Sequence, residues 1–428
     1  MRELPPGWSW QILSDVLINQ SNKKQLQQGW SPRCETHPAA EGEWGVLKTT
    51  AIQPGFFDMT QNKQLPTHLQ PRPALEVITG DLLITCAGPR SRCGIPTLVR
   101  RTRGRLMMSG KMYRLRPNDS VDPRFLEAWL LTDEAQSLID GMKTGISDSG
   151  LNLTHDRFLA LPVPVPPRPE QELIVEALEE HLSRLEFGEA QLARTLDRAD
   201  AWIAGVEDSA LWKPGLPNRP IASLLREPMR NGRSDVAPAD GKPGIRAVTI
   251  TAVTRNAFVD EHTKLTSTSP GVAEKLWLAA GDIFVQRSNT PQLVGSTSRY
   301  AGPARWAIFP DLLIRLRVDE SVIDSRYLTA VMRSERLHRE LRAKAKGLSS
   351  SMPKIDQDAI GTTSVPVPSI VEQLHTIAAL DDTTATYSRI RGAVESARRR
   401  ASSLRSSLFI AAFRGQLTKS YREERVFV

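Results

Sequence analysis

The sequence predicts an α+β fold: two similar mixed α/β domains separated by two long helices forming an antiparallel coiled coil. Three observations predict it. A Pro-Val-Pro…Glu-Gln phrase occurs twice in the 428-residue chain, as Pro164-Val165-Pro166 with Glu170-Gln171 and as Pro366-Val367-Pro368 with Glu372-Gln373. Short β-type runs and turns precede each copy. A long stripe of apolar residues at helical spacing follows each copy.

The halves match well beyond that phrase, and such self-similarity governs the whole fold assignment. Gly80-Asp81-Leu82-Leu83-Ile84 corresponds to Gly281-Asp282-Ile283-Phe284-Val285. Arg114-Leu115-Arg116 before Arg124-Phe125-Leu126 corresponds to Arg315-Leu316-Arg317 before Arg326-Tyr327-Leu328. Gly145-Ile146-Ser147 with Ser149 echoes Gly347-Leu348-Ser349 with Ser351, and Val46 to Ile52 echoes Ala247 to Val253. The order of elements is kept while the residues between them differ.

Taken in order, residues 1–166 form the first domain. Leu82 to Cys86 and Leu106 to Met108 read as strands, and Phe125 to Ile139 reads as one helix. Residues 167–213 follow as a helix with Leu178, Leu182, Leu185, Leu192, Leu196, Ala199, Ile203, Val206 and Ala210 on one seam, interrupted by Glu189. Some forty helical residues span about 60 Å. Trp212-Lys213-Pro214-Gly215 ends the rod, because proline and glycine do not continue the hydrogen-bond ladder. Residues 214–368 repeat the first scheme, with Leu312 to Ile314 as a strand and Tyr327 to Leu341 as the helix. Residues 369–428 supply the second rod, whose seam runs from Ile377 through Leu380, Tyr387, Ile390, Val394 and Ala401 to Leu408 and stops near Gly415. Two such stripes bury each other most simply as a pair, and an antiparallel pair would hold the two domains at opposite ends.

Composition narrows the function. With 40% hydrophobic and 24% charged residues, the chain has the make-up of an ordinary globular protein. No apolar run reaches the roughly 18 residues a membrane span needs, and the first residues lack a signal-peptide core. A cytoplasmic location with no membrane partner is expected. Three cysteines fit no disulfide framework. Cys34, His37, Cys86 and Cys93 could complete a zinc site, but their spacing is not ribbon-like, and buried thiols are the better reading. The net charge is +8. No acidic residue lies between Asp81 and Asp119 or between Asp282 and Asp311, although arginines crowd the first stretch and Arg287, Arg299 and Arg305 punctuate the second. Two acid-free stretches at equivalent places in a repeat point to nucleic acid.

The organisation resembles the specificity subunit of type I restriction-modification systems. The residues that carry the resemblance are the two Pro-Val-Pro…Glu-Gln helix openings and the start Leu4-Pro5-x-Gly7-Trp8-x-Trp10. The ending Leu404-Arg405 through Ala412-Phe413-x-Gly415-x-Leu417 matches as well. The entry to the second half, Leu211 to Pro217, repeats the opening phrase only loosely. The resemblance implies a non-catalytic reader. Residues 1–166 and 214–368 would be target-recognition domains, each reading one half of a bipartite double-stranded DNA target. Residues 167–213 and 369–428 would be the central and distal conserved spacer helices. Those helices would dock two modification (methyltransferase) subunits, and through them restriction (endonuclease/translocase) subunits. The chain itself would carry no cofactor; S-adenosylmethionine is expected in the methyltransferase subunit.

Catalytic signals are lacking. Pro5-Pro6-Gly7-Trp8 has no acid or amide in register for an adenine-methylase element. Gly104 to Lys111 has the wrong spacing for a phosphate loop and offers Met112 where a Ser or Thr would bind magnesium. Histidines have no partner spacing of a nucleophile or base. Among binding candidates, Arg100, Arg101, Arg103 and Lys111 suit phosphate contacts. Arg90 and Arg92 follow a strand on a Gly/Pro-punctuated loop suited to base reading, and Arg287, Ser288, Asn289 and Gln292 are their counterparts, with Arg299 close by. Arginine suits guanine, and Asn or Gln suits adenine. A stand-alone DNA-binding regulator dimerising through the coiled coil is the alternative reading, and a nuclease with unrecognised motifs a third.

Overall fold

The computed structural model describes residues 2–20, 24–240, 242–253, 257–347 and 352–426. The chain divides into two compact units, Met1–Leu192 with Ser396–Val428, and Ala193–Glu395. In the first unit the unbroken apolar run Leu82–Thr85 is buried along its whole length, as such a run requires. It pairs antiparallel with Met112–Leu115 on one side and Pro96–Leu98 on the other, and Gln27–Gln28 lies outside Met112–Leu115. The second unit repeats this four-stranded order with Ile283–Gln286 between Leu313–Leu316 and Thr297–Arg299, and Arg230–Asn231 outermost.

A second β-layer also recurs. Gly45–Leu47 pairs antiparallel with Asn62–Gln64 and parallel with Leu106–Met107. Ile245–Val248 pairs antiparallel with Thr263–Thr266, and Ala247 bridges Ile308 in parallel. Each unit therefore has two cores, one under this layer and one where the large sheet, the helices and the rod ends meet.

The duplicated Gly-Asp and Arg-x-Arg phrases close one buried network per unit. Asp81, 1% exposed, accepts from Arg114 at 3.2 Å and Arg116 at 3.0 Å. Asp282, equally buried, accepts from Arg317 at 2.6 Å and lies 4.0 Å from Arg315. Each carboxylate also accepts a backbone N–H from three residues upstream, Ile78 at 3.0 Å and Ala279 at 2.9 Å. Gly80 and Gly281 supply the φ of +93° that each tight turn needs. Burial pulls Arg315 down to about 10, and Asp282 partly offsets that.

The single helices expected over Phe125 to Ile139 and Tyr327 to Leu341 are each two helices. The first place holds Pro123–Leu130 and Asp133–Met142, the second Ser325–Arg333 and Glu335–Lys344. The break has a local cause. Thr132 and Ser334 take extended backbone angles, and their hydroxyls accept from Ala135 N at 3.1 Å and Leu337 N at 3.4 Å, starting a new helix. Apolar spacing carries across such a break, so periodicity alone did not reveal it. The first helix of each pair opens on an aspartate cap, Asp122 or Asp324.

The Pro-Val-Pro phrase is a strand end followed by a helix start. Pro162–Val165 pairs with Ser9–Ile12, and Ser364–Pro366 with Asn218–Pro220. The long helices run Arg168–Leu211 and Ile370–Phe413. At each start the glutamine is fully buried. Gln171 Oε1 accepts from Asp122 N at 2.8 Å while its Nε2 donates to the Ser120 and Pro166 carbonyls at 2.8 and 2.9 Å. Gln373 repeats this with Asp324 N, Val322 O and Pro368 O at 2.8, 3.1 and 2.9 Å. The neighbouring glutamates differ. Glu372 forms a capping box with Ser369. Glu170 is buried and accepts from Thr418 at 2.7 Å and from Arg422, on a terminal helix Lys419–Val426 that the sequence reading did not anticipate.

The rods pair antiparallel within each unit. In the first, Glu170 meets Thr418 and Arg422 while Glu189 meets Arg405 at 3.0 Å, so numbers rise on one helix as they fall on the other. The polar interruption of the seam at Glu189 thus has a cationic partner. In the second, Asp200 accepts from Tyr387 at 2.5 Å, and Leu211 shares a core with Ile377 and Leu380. Each globular core is completed by the start of one rod and the end of the other: Ile174, Val175 and Leu178 with Phe413 in the first unit. Phe413 lies 5.1 and 5.3 Å from the rings of Phe125 and Trp129. Of the Gly347-Leu348-Ser349…Ser351 echo, the residues after Gly347 fall outside the described residues. Among the described residues no helix is long and apolar enough to cross a membrane.

Gln171→Ala is expected to cost about 2 to 4 kcal/mol, because it strands a buried N–H and two carbonyls. Hydrogen exchange should show protection lost around Asp122–Trp129 and kept around Asp324–Met332. A second expectation concerns acid. The Arg326 side chain, helped by backbone N–H groups and opposed by burial, holds Asp324 below the usual carboxylate range. Its folded value lies under the unfolded one of about 3.9, so its stabilisation is present above that pH and lost as pH falls through the folded value. Asp324→Asn should flatten that limb of an acid-denaturation curve.

Candidate nucleic-acid interface

The arginine-rich stretch does not stand free on the surface. Arg114 and Arg116 are held by Asp81, and Arg100 is bidentate on the nearly buried Glu127, at 2.8 Å to Oε2 and 3.3 Å to Oε1. Arg103 donates to the carbonyl of Glu43 at 3.2 Å. The acids and carbonyls come from segments distant in sequence, so a stretch without acids is not a stretch without partners.

Arg90 and Arg92 lie on the short turn Arg90–Arg92, just after the strand Ala87–Gly88. Arg90 is half-exposed and bridges Asp140 at 2.6 Å and Asp148 at 3.1 Å. Arg92 turns inward. Its guanidinium donates to the Thr49 and Ile52 carbonyls, both at 2.6 Å, and to Gln53 Oε1 at 3.1 Å, tying the turn to the neighbouring β-layer.

In the second unit Arg287 is half-buried, with its backbone N–H bonded to Leu312 and its carbonyl to Ile355. Ser288 is 1% exposed, so its hydroxyl is withdrawn from the surface. Asn289 donates to Gln286 Oε1 at 2.7 Å and accepts from Thr290 N at 2.8 Å. Arg299 donates to Ser325 Oγ at 2.9 Å. Gln292, Arg101 and Lys111 are exposed.

Lys111 belongs to a different assembly from its sequence neighbours. It lines a groove of about 600 Å³ with Arg33, Lys48, Lys63, Thr50 and Gln61, and no carboxylate is among the lining residues. Among the described residues these four cations make no ion pair. The groove is built on the Gly45–Leu47 and Asn62–Gln64 pair, with Lys48 N donating to the Gln61 carbonyl at 2.9 Å at its end. Arg33, Lys48, Lys63 and Gln61 were not among the sequence candidates, because they are scattered over some thirty positions and only pairing assembles them. One usable signal was the echo of Val46 to Ile52 in the second half, which marks this layer as shared frame.

The thiols lie in separate places. Cys34 packs at the edge of the core under the β-layer, whereas Cys86 and Cys93 are buried in the other core. Burial pushes the Cys86 thiol up to about 12. Among the described residues no cluster of His, Cys, Asp or Glu could hold a metal ion.

No protein-family model matches the chain. Over 180 residues it is 34% identical to the type I restriction enzyme EcoEI specificity subunit of Escherichia coli, covering 42% of this chain and 29% of that one. It is 25% identical over 447 aligned positions to the StySPI specificity subunit of Salmonella potsdam, covering 99% of this chain and 92% of that one. The chain is thus similar in sequence to type I specificity subunits. The match to the EcoEI subunit spans less than a third of that protein, whereas the StySPI match runs nearly end to end. In fold, the chain resembles one from a structure of a type I R-M system, described for its complex assembly and conformational transition. The TM-score is 0.74 at 17% identity, covering 97% of this chain and all of that one. The HsdS subunit of Thermoanaerobacter tengcongensis follows at TM-score 0.54 and 18% identity, covering 97% and 98%. The mixed α/β fold with its paired long helices is thus shared with these solved structures.

Arg92 and Lys111 should separate cleanly by substitution. Arg92→Ala is expected to lower the first unit's stability by about 1 to 3 kcal/mol, since two carbonyls lose their donor. Lys111→Ala should stay within about 0.5 kcal/mol of wild type. Urea denaturation of the full chain measures both.

Proposed function

We propose that this chain is the non-catalytic DNA-reading subunit of a type I restriction-modification complex. Each unit reads one half of a bipartite double-stranded target. The paired helices set the unread gap and dock two modification subunits, and through them restriction subunits. S-adenosylmethionine is bound by the modification subunits, not by this chain.

One observation carries the reading: a single frame is built twice, down to the buried glutamine at each helix start, while the surfaces on it differ. A duplicated frame with unlike surfaces suits two unlike half-sites, and a shared rod suits a fixed separation between them. The end-to-end relation to the StySPI specificity subunit supports the same conclusion. A groove lined by four cations without a carboxylate supplies the sequence-independent affinity that phosphate contacts give.

The test is a map of modified adenines in host DNA with and without this gene. The expected result is a split motif with a constant gap that disappears with the gene; a continuous motif would overturn the two-reader arrangement. Co-purification adds a stoichiometric check. Two modification subunits per chain are expected, and a bare homodimer would instead favour a stand-alone regulator.

A further inference from the structure

Backbone bonds around the first unit's cationic groove recur in the second unit, while the side chains carried there differ. Gly29 and Gly232 begin the coincidence. A Cβ on either would lie 2.3 Å from the Met108 carbonyl oxygen or 2.1 Å from that of Phe309, so both positions exclude a side chain. The residues after them, Trp30 and Arg233, donate to those same carbonyls at 2.9 and 3.0 Å. Lys48 N reaches the Gln61 carbonyl at 2.9 Å, and Thr249 N reaches that of His262 at 2.9 Å. Cys86 N bonds to Lys111 O at 2.8 Å, and Arg287 N to Leu312 O at 2.8 Å. Lys63 stands opposite Val46 in its ladder, as Lys264 stands opposite Ala247.

These hydrogen bonds define residue equivalence without any choice of alignment. Gln61 corresponds to His262, Thr50 to Thr251, Lys48 to Thr249, Lys111 to Leu312 and Lys63 to Lys264. Only the last cation is common to both. The frame is held constant and the chemistry at its lip is exchanged, which is the pattern expected of sequence-reading positions. Arg92, on its turn, and Ser288, in a β-bridge with Lys354, behave oppositely, being engaged or buried within the fold.

Side-chain chemistry distinguishes the roles. Thr50 Oγ1 donates to Gln61 Oε1 at 3.0 Å, which orients the amide oxygen and leaves both Nε2 hydrogens and one Oε1 lone pair for a ligand. A donor beside an acceptor in one plane matches the N7 and N6 edge of adenine. His262 is exposed and offers a ring donor and acceptor at the same place. Lys63 and Lys264, exposed and without ion pairs among the described residues, suit phosphate.

We infer that this groove in the first unit, and the equivalent backbone positions in the second, form the base-reading surfaces, with Gln61 selecting adenine in one half-site and His262 setting the equivalent position of the other. The inference rests on the DNA-reading function proposed above and adds which face and which residues read.

The test uses the full-length chain with whatever subunits co-purify, and selects bound sequences from a random double-stranded DNA library at fixed salt. Gln61→His is expected to change the preferred base at one position of one half-site, with a loss of about ten- to a hundred-fold against the original sequence. The reciprocal His262→Gln should change one position of the other half-site. Lys63→Ala should weaken all sequences alike and lower the salt-dependence slope by about 1. Thr50→Val, which frees the Gln61 amide, should relax selection at the Gln61 position without shifting the melting temperature. If wild type selects a split motif and both exchanges keep it unchanged, or weaken it uniformly, this surface does not read bases although the chain does. If wild type selects no motif, the DNA-reading function falls, and this inference falls with it.

Discussion

A buried side-chain amide is acceptable only where its donors and acceptor are all matched, and both halves of this protein are organised around one that is. Gln171 and Gln373 each join three pieces of chain: the strand end that precedes the rod, the loop before the domain helix, and that helix's capping aspartate. Neither a carboxylate nor an apolar group of similar size could do this, because the site needs one acceptor and two donors in a single plane. The rod therefore leaves its domain at a fixed place, and the domain helix begins at a fixed place against the rod. The sheets, the Asp-Arg networks and the second β-layer are arranged on that joint in the same order twice.

Much of this was legible in the sequence. The duplicated Pro-Val-Pro…Glu-Gln and Gly-Asp phrases marked parts of the frame that are built alike in both halves, and the apolar seams marked the rods. What escaped was set by tertiary partners. A helix restart at Thr132 or Ser334 depends on one hydroxyl turning toward the next helix, while the apolar spacing runs on unbroken. The acid-free arginine stretch suggested an open cationic face, yet Glu127, Asp140 and backbone carbonyls from distant segments occupy those guanidiniums. The groove was hidden for the converse reason. Its lysines are separated in the chain, and only strand pairing places Lys48, Lys63 and Lys111 around one space.

A division of labour between the two cationic side chains emerges. Arginine is used inward, where its planar fork can bond several carbonyls or a buried carboxylate at once, as Arg92, Arg114 and Arg317 do. Lysine supplies three of the groove's four cations, beside Arg33, and there a compact and strongly hydrated charge can meet a phosphate without giving up an existing contact. A count of charge by sequence window merges the cations engaged within the fold with those left at the groove.

The glutamates beside the two joints carry a further meaning. Glu372 is occupied by its own helix start, whereas Glu170 is closed over by Thr418 and Arg422, and Arg2 donates to the Phe413 carbonyl at 2.6 Å. In the second unit the rod end at Leu211 continues through a few residues of backbone into the strand Asn218–Pro220. The corresponding place in the first unit, between Phe413 and the strand Ser9–Ile12, is bridged by side chains instead. The junction between a rod end and its domain's first strand is thus closed by side-chain hydrogen bonds in the first unit and by peptide bonds in the second.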